Sequence, residues 1–261
     1  MSIFKSNEEI LNDWQKSNEA IGEINFARDG IMFRGKFEES GVERKSEPSI
    51  ESELWENAPL RILFMTKDQN SGNEGAWDVR SETGRNKLGS DSIPGVFSRN
   101  LMYQLYGLVH TTPSFLPGYD FSNKDAIELY DSFPVARINV KKESGKESID
   151  NRTLRTYLER DENFIRRQID TLDADIILCC GYSQSIEGTG NLLLNFLNTH
   201  GYDFQQQEPD AWIYYDNNKN KVAINNLHLS ARKSSEKIYR ELTSAYQTFL
   251  QSHPDFLNPH R

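Results

Sequence analysis

Residues 61–68 read RILFMTKD: an arginine, four consecutive apolar side chains and a threonine, then Lys67 and Asp68. An unbroken apolar run is what a strand covered on both faces requires, because helices on each side of a parallel sheet leave neither face to water. The same plan recurs twice more. Residues 133–139, FPVARIN, end on Asn139, and residues 221–228, KVAINNLH, end on His228. In an open α/β sheet the carboxyl ends of parallel strands face one crevice, so an acid, an amide and an imidazole far apart in the chain are expected to share a pocket.

Outward from these runs, the pattern alternates strands with helices. Ile10, Leu11, Trp14 and Ala20 predict an amphipathic helix over residues 7–20. INFARDGIMFRGKF carries Asp29-Gly30 between two short runs, the chemistry of a tight hairpin turn. Residues 38–50 are charged and hold Gly, Ser and Pro, which predicts an exposed loop. Residues 68–94 are long, polar and glycine-bearing, a connection uncommon unless it binds something. Phe97, Leu101, Leu105 and Leu108 then mark a helical stripe.

A short helix is expected over 123–132, capped by Asn123, and a charged helix over 153–172 that feeds a strand at Ile176–Cys180, stopped by Gly181. A helix around 192–197, an antiparallel or edge strand at 211–215 and a final helix from about Ser234 complete the chain. Length suits one domain, with a helix-and-hairpin extension over 1–58 and a core over 59–252.

Composition narrows the classes. At 36% hydrophobic, 26% charged and 11% aromatic, the chain is too apolar for intrinsic disorder and can build a core. No run approaches a membrane span of about 18 apolar residues, and the opening MSIFKSNEEILNDW lacks an apolar signal core, so no membrane and a cytoplasmic location are expected. Cys179 and Cys180 are adjacent inside a strand, which argues against a disulfide and makes a four-cysteine cluster impossible.

No HExxH, CxxC, GxGxxG or GxxxxGK[ST] spacing occurs, so neither a metal nor a nucleotide cofactor is expected. A net charge of −9 gives no global attraction to nucleic acid. Phosphate contacts would have to be local: Lys141, Lys142 and Lys146 after the second run, and Arg232, Lys233 and Lys237 after the third, unless these are ordinary solvated surface.

Chemically, Asp68 can orient water or stabilise positive charge on a sugar, against the plainer role of a surface loop acid. Asn139 interrupts a buried strand and needs partners for its amide; a base edge would serve, and so would a neighbouring loop. His228 can donate to an oxygen gaining negative charge, or simply bond to backbone at a strand end.

In their order along the chain, TKDQN, GAWDVR, IPGVFSRNLMYQLYG, ARINVKK and NNLHLSARKS resemble the motifs of the uracil-DNA glycosylase superfamily across roughly residues 61–250. TKDQN is similar to the family's water-activating GQDPYH, NNLHLSARKS to its HPSPLS. The resemblance implies a three-layer α/β/α sandwich around a central, mainly parallel four-stranded sheet. It also implies a DNA glycosylase that flips a damaged base, stacks it on Trp77, reads its edge with Asn139, positions water with Asp68 and supports the leaving base with His228.

Lys67, Gln69 and Asn70 then fall beside the base, and Lys141, Lys142, Ser230, Arg232 and Lys233 along the DNA, with no cofactor or metal and a monomer expected. The departures are specific. The family's Pro-Tyr after the catalytic Asp is Gln69-Asn70 here, so discrimination of uracil from thymine is not implied. Its duplex wedge has no clear counterpart, with Leu229 or Arg232 nearest to one. An inactive nucleic-acid or nucleobase-binding module, or an unrelated α/β enzyme of small metabolites, is the alternative.

Overall fold

The computed structural model describes residues 2–39, 41–69, 76–85, 89–145, 149–181, 188–207 and 212–256. Among the described residues it is an α/β structure with one mixed sheet of seven strands and eight helices. The strands are β1 (Gly30–Ile31), β2 (Ile62–Thr66), β3 (Val135–Asn139), β4 (Ile176–Cys180), β5 (Gln205–Gln206), β6 (Ile213–Asp216) and β7 (Lys221–Asn226), in the spatial order β1-β3-β2-β4-β7-β6-β5. The four central ones, β3, β2, β4 and β7, run parallel. Antiparallel β1 closes one side, and β6 with β5 the other. The sheet is therefore wider than the four strands expected.

Burial explains the apolar runs. Ile62, Leu63, Phe64 and Met65 are each 0% exposed, and burying a side chain of this size contributes about 1.5–3 kcal/mol. Leu63, Met65, Ala136, Ile138 and Ile177 point into a core shared with α1 (Ile3–Ala20), α2 (Pro48–Glu56), α5 (Asn151–Arg160), α6 (Glu162–Leu172) and α7 (Thr189–Thr199). Ile62, Phe64, Val135, Leu178 and Ile224 face α3 (Gly95–His110), α4 (Asn123–Ser132) and α8 (Ser235–Ser252). Helices α3 and α8 cross closely at Gly107, where a Cβ would lie 2.4 Å from Thr243 Cγ2. None of the described helices is long and apolar enough to cross a membrane.

Five expectations need correction. Asp29-Gly30 makes no hairpin turn: Gly30 and Ile31 pair with Arg137 and Ala136, and Asp29 is fully buried. Gly30 has φ +130°, and a Cβ there would sit 2.5 Å from Asn7 Nδ2, so close packing against α1 calls for the glycine. The loop from residue 38 ends at 47, because Pro48 opens α2 and Glu51 turns back to accept from the Glu47 N–H at 2.8 Å. Trp55 of that helix is buried and donates to the Leu172 carbonyl at 2.9 Å.

The charged helix of 153–172 is two helices that break at Asp161, whose carboxylate is forked by Arg160 at 2.9 and 2.6 Å. Ser122, rather than Asn123, caps α4, with Asp125 completing a capping box. The segment before residue 59 is also part of the main body, since Leu11, Trp14 and Trp55 lie in the same core as β2 and β4.

Candidate functional site

Past the end of β2 the chain stays tied to the β3 side. The Val140 and Lys141 N–H groups donate to the Thr66 and Lys67 carbonyls at 3.0 and 2.8 Å. This holds Asp68 at the carboxyl edge of the sheet, on the wall of a cavity of about 480 Å3. Trp77, Arg137, His228 and the start of α3, at Phe97 and Ser98, line the same cavity, which opens where the central strands end. A volume of this order suits a small planar ligand, for which pockets run about 300–1,000 Å3.

Asp68 is half-buried, and its Oδ2 is enclosed with no hydrogen-bond partner among the described residues. Burial raises its pKa above the ordinary carboxylate value, opposed by Lys141, Lys67 and a backbone bond from Ile149. Its place on the cavity wall suits the Asp68 carboxylate to holding a water or accepting its proton.

His228 follows β7 on a loop pinned to α3, where Asn100 Nδ2 donates to the Leu229 carbonyl at 2.7 Å. The Ser230 N–H donates to His228 Nδ1 at 3.1 Å. Nδ1 must then be an acceptor, which leaves the proton of the neutral ring on Nε2. Burial, with Lys67 and Arg137 nearby, lowers the imidazole pKa below its usual value. At neutral pH the ring is an uncharged Nε2–H donor.

Trp77 is fixed at both ends. Its backbone N–H and C=O pair with the Gln69 amide at 3.2 and 3.1 Å, and its indole N–H donates to Glu82 Oε1 at 2.7 Å. Gln69, 2% exposed, thus clasps the ends of the connection between them. Glu82 Oε2 in turn accepts from Arg137 Nη1 at 2.8 Å, and the Arg137 guanidinium lies 4.6 Å over the Phe97 ring.

The structure therefore brings Asp68, Gln69, Trp77, His228 and Ser230 to one cavity. Asn139 is not on its surface. It is 1% exposed, its Oδ1 accepts from Thr66 Oγ1 at 2.5 Å, and its Nδ2 is buried without a partner among the described residues. Thr66 itself lines the cavity.

The expected phosphate contacts fare less well. Lys142 is 0% exposed and bonded to both oxygens of Asp29 at 2.6 Å, which removes it from any nucleic-acid surface. Lys141 is buried, with its ammonium on the Glu143 carbonyl and 5.4 Å from the Tyr157 ring. Lys233 pairs with Glu241 at 2.5 Å, while Arg232 is exposed. Lys67 donates to the Ile149 carbonyl at 3.0 Å. Leu229, 0% exposed, is no wedge. Asn70 and Lys146 lie outside the described residues.

Arg137, Glu82 and Phe97 were not among the expected site residues. A signal for the first was present: Arg137 interrupts the apolar run two positions before Asn139, and period-two alternation puts both on one sheet face. For Glu82 none was, because its role depends on the fold of the loop. Compared with known proteins, the chain matches no family model, no curated protein and no solved structure.

Proposed function

We propose that this cavity is the site of a base-excising N-glycosylase of the uracil-DNA glycosylase type, which hydrolyses the bond between a flipped base and its sugar. The observation that carries the reading is that Asp68, Trp77 and His228, drawn from three separate segments, line one cavity at the carboxyl ends of parallel strands. Four central parallel strands with helices on both faces are compatible with the architecture the resemblance implies.

In this mechanism the base leaves the stack, at a cost of a few kcal/mol that is least in single strands or mismatches. Trp77, held by Gln69 and Glu82, offers a pre-positioned aromatic wall. As the glycosidic bond breaks, its electron pair leaves with the base and the sugar gains oxocarbenium character. The Asp68 carboxylate stabilises that positive charge and takes a proton from the water whose oxygen bonds to the anomeric carbon. The His228 Nε2–H donates to the base oxygen that gains negative charge. The products are a free base and an abasic sugar.

Incubation with single-stranded and duplex oligonucleotides carrying uracil or other altered bases, followed by alkali, tests the reading. Strand scission by the wild type and none by Asp68→Asn is the expected result. Binding that weakens steeply with salt while every strand stays intact would instead select a non-cutting nucleobase-binding module.

A further inference from the structure

We infer that Arg137 is the specificity-determining residue of the cavity, and that it selects bases presenting a keto edge over bases presenting an amino edge. The inference rests on reading the cavity as a base pocket. Its starting point is that Asn139, the amide implied to read the base, is withdrawn behind the cavity surface with its oxygen engaged by Thr66. Arg137 projects from the same strand and the same face, and it does line the cavity.

Donor accounting gives the chemistry. A guanidinium carries five N–H donors and no acceptor. Among the described residues Arg137 makes one hydrogen bond, Nη1 to Glu82; its Nε is sealed away without a partner, so the donors left for a ligand are those of the Nη groups, on a residue only 7% exposed. Donors left over at so enclosed a position favour a ligand that brings acceptors.

The Glu82 hydrogen bond and the Phe97 ring face on which the guanidinium lies hold it, so the fork is set before a ligand arrives. Each Glu82 oxygen already accepts one hydrogen bond, from Trp77 and from Arg137, which leaves the carboxylate a weaker acceptor for an exocyclic amino group. The His228 Nε2–H adds a further donor to the same wall. Against Arg137 and His228 an acceptor edge meets donors, whereas an amino group placed there would set donor against donor.

Two matched pairs test this, each exchanging a keto group beside a ring N–H for an amino group beside an unprotonated ring nitrogen: uracil against cytosine, and hypoxanthine against adenine. Calorimetric titration of the free bases into the whole protein requires neither DNA nor turnover. The keto member of each pair should bind at least about tenfold more tightly, the effect of one charge-assisted hydrogen bond. Arg137→Met should abolish the preference, and Arg137→Lys, which keeps the charge without the fork, should restore part of it.

If Arg137→Met fails to fold, as a melting curve would reveal, Glu82→Gln serves: its amide can still accept from Trp77 but no longer holds the guanidinium by charge, and the preference should fall. Equal binding of both members, binding of neither, or a keto preference that survives Arg137→Met overturns the inference. The same panel placed in oligonucleotides separates it from the glycosylase reading. Arg137-dependent keto binding without any strand cleavage sustains the inference and defeats the glycosylase. Cleavage whose base preference ignores Arg137 does the reverse.

Discussion

Strand β3 has buried polar groups on both of its faces, and the two sets are finished differently. Against α1 and α6, Asp29 accepts from Lys142, from Gln168 at 2.9 Å and from the Asn139 N–H at 2.7 Å. Lys142 also reaches the Asn139 carbonyl and Gln168, whose amide bonds Asn7 at 3.0 Å. No side-chain atom of these four residues is left unpaired. Toward α3, the Asn139 Nδ2, Arg137 Nε, Asn226 Oδ1, Gln104 Nε2 and Asp68 Oδ2 atoms are buried without partners among the described residues. Depth is the same and completeness is not. A closed network fixes a fold; of the five residues with unmet groups, Arg137 and Asp68 line the cavity, where a ligand can approach their side chains.

The contrast can be broken most forcefully at Lys142. Replacing it by Met strands the Asp29 carboxylate, and unfolding in denaturant should show a loss of about 3–5 kcal/mol. A well-folded variant that had lost only nucleic-acid binding would return Lys142 to the role of a surface contact. On the open face the balance reverses. Asp68→Asn should lower base release by about 10²- to 10⁴-fold, the range for loss of a positioned base, with the fold intact.

The same substitution should raise the melting temperature at neutral pH. The folded carboxyl has a raised pKa, so its favourable contribution exists below the ordinary carboxylate value and is lost as pH rises through the raised one. The gap between wild type and variant should therefore close in acid. A destabilised Asn variant at neutral pH would mean that the carboxylate has a structural partner.

His228→Gln removes the Nε2–H donor and should cost about 10²- to 10³-fold in turnover, as for loss of one oxyanion donor. The smallest effect is on the pH profile of the wild type. Asp68 must be ionised and His228 neutral, and the first has a raised and the second a lowered pKa. Activity should fall only as pH drops through these values and stay level from neutrality into mild alkali. A rate that declines between pH 7 and 8 would require a protonated imidazole and contradict the Ser230 hydrogen bond to Nδ1.

The chain advertised its central strands because burial on both faces demands unbroken apolar runs, and Ile176–Cys180 and Asn123–Ser132 fall where their patterns begin and end. It also advertised Asp68 and His228, since a polar residue that ends such a run must lie at the sheet's edge. Lys142 misled because a lysine after a strand reads as surface unless its buried partner is known, and that partner, Asp29, comes from a segment that looked like a turn. Helix α2 was concealed by the charged stretch before it, despite Pro48 and Glu51 at a helix start.

Sequence alone determined the α/β class, the parallel core strands and the residues at their carboxyl ends, because hydrophobic periodicity is a local property of the chain. Only the tertiary structure decided that Arg137 reaches the cavity while Asn139 does not, that Gln69 clasps Trp77, and that one lysine is sealed inside. Those outcomes depend on which side chains from distant segments compete for the same donors and acceptors. No local pattern encodes such a competition.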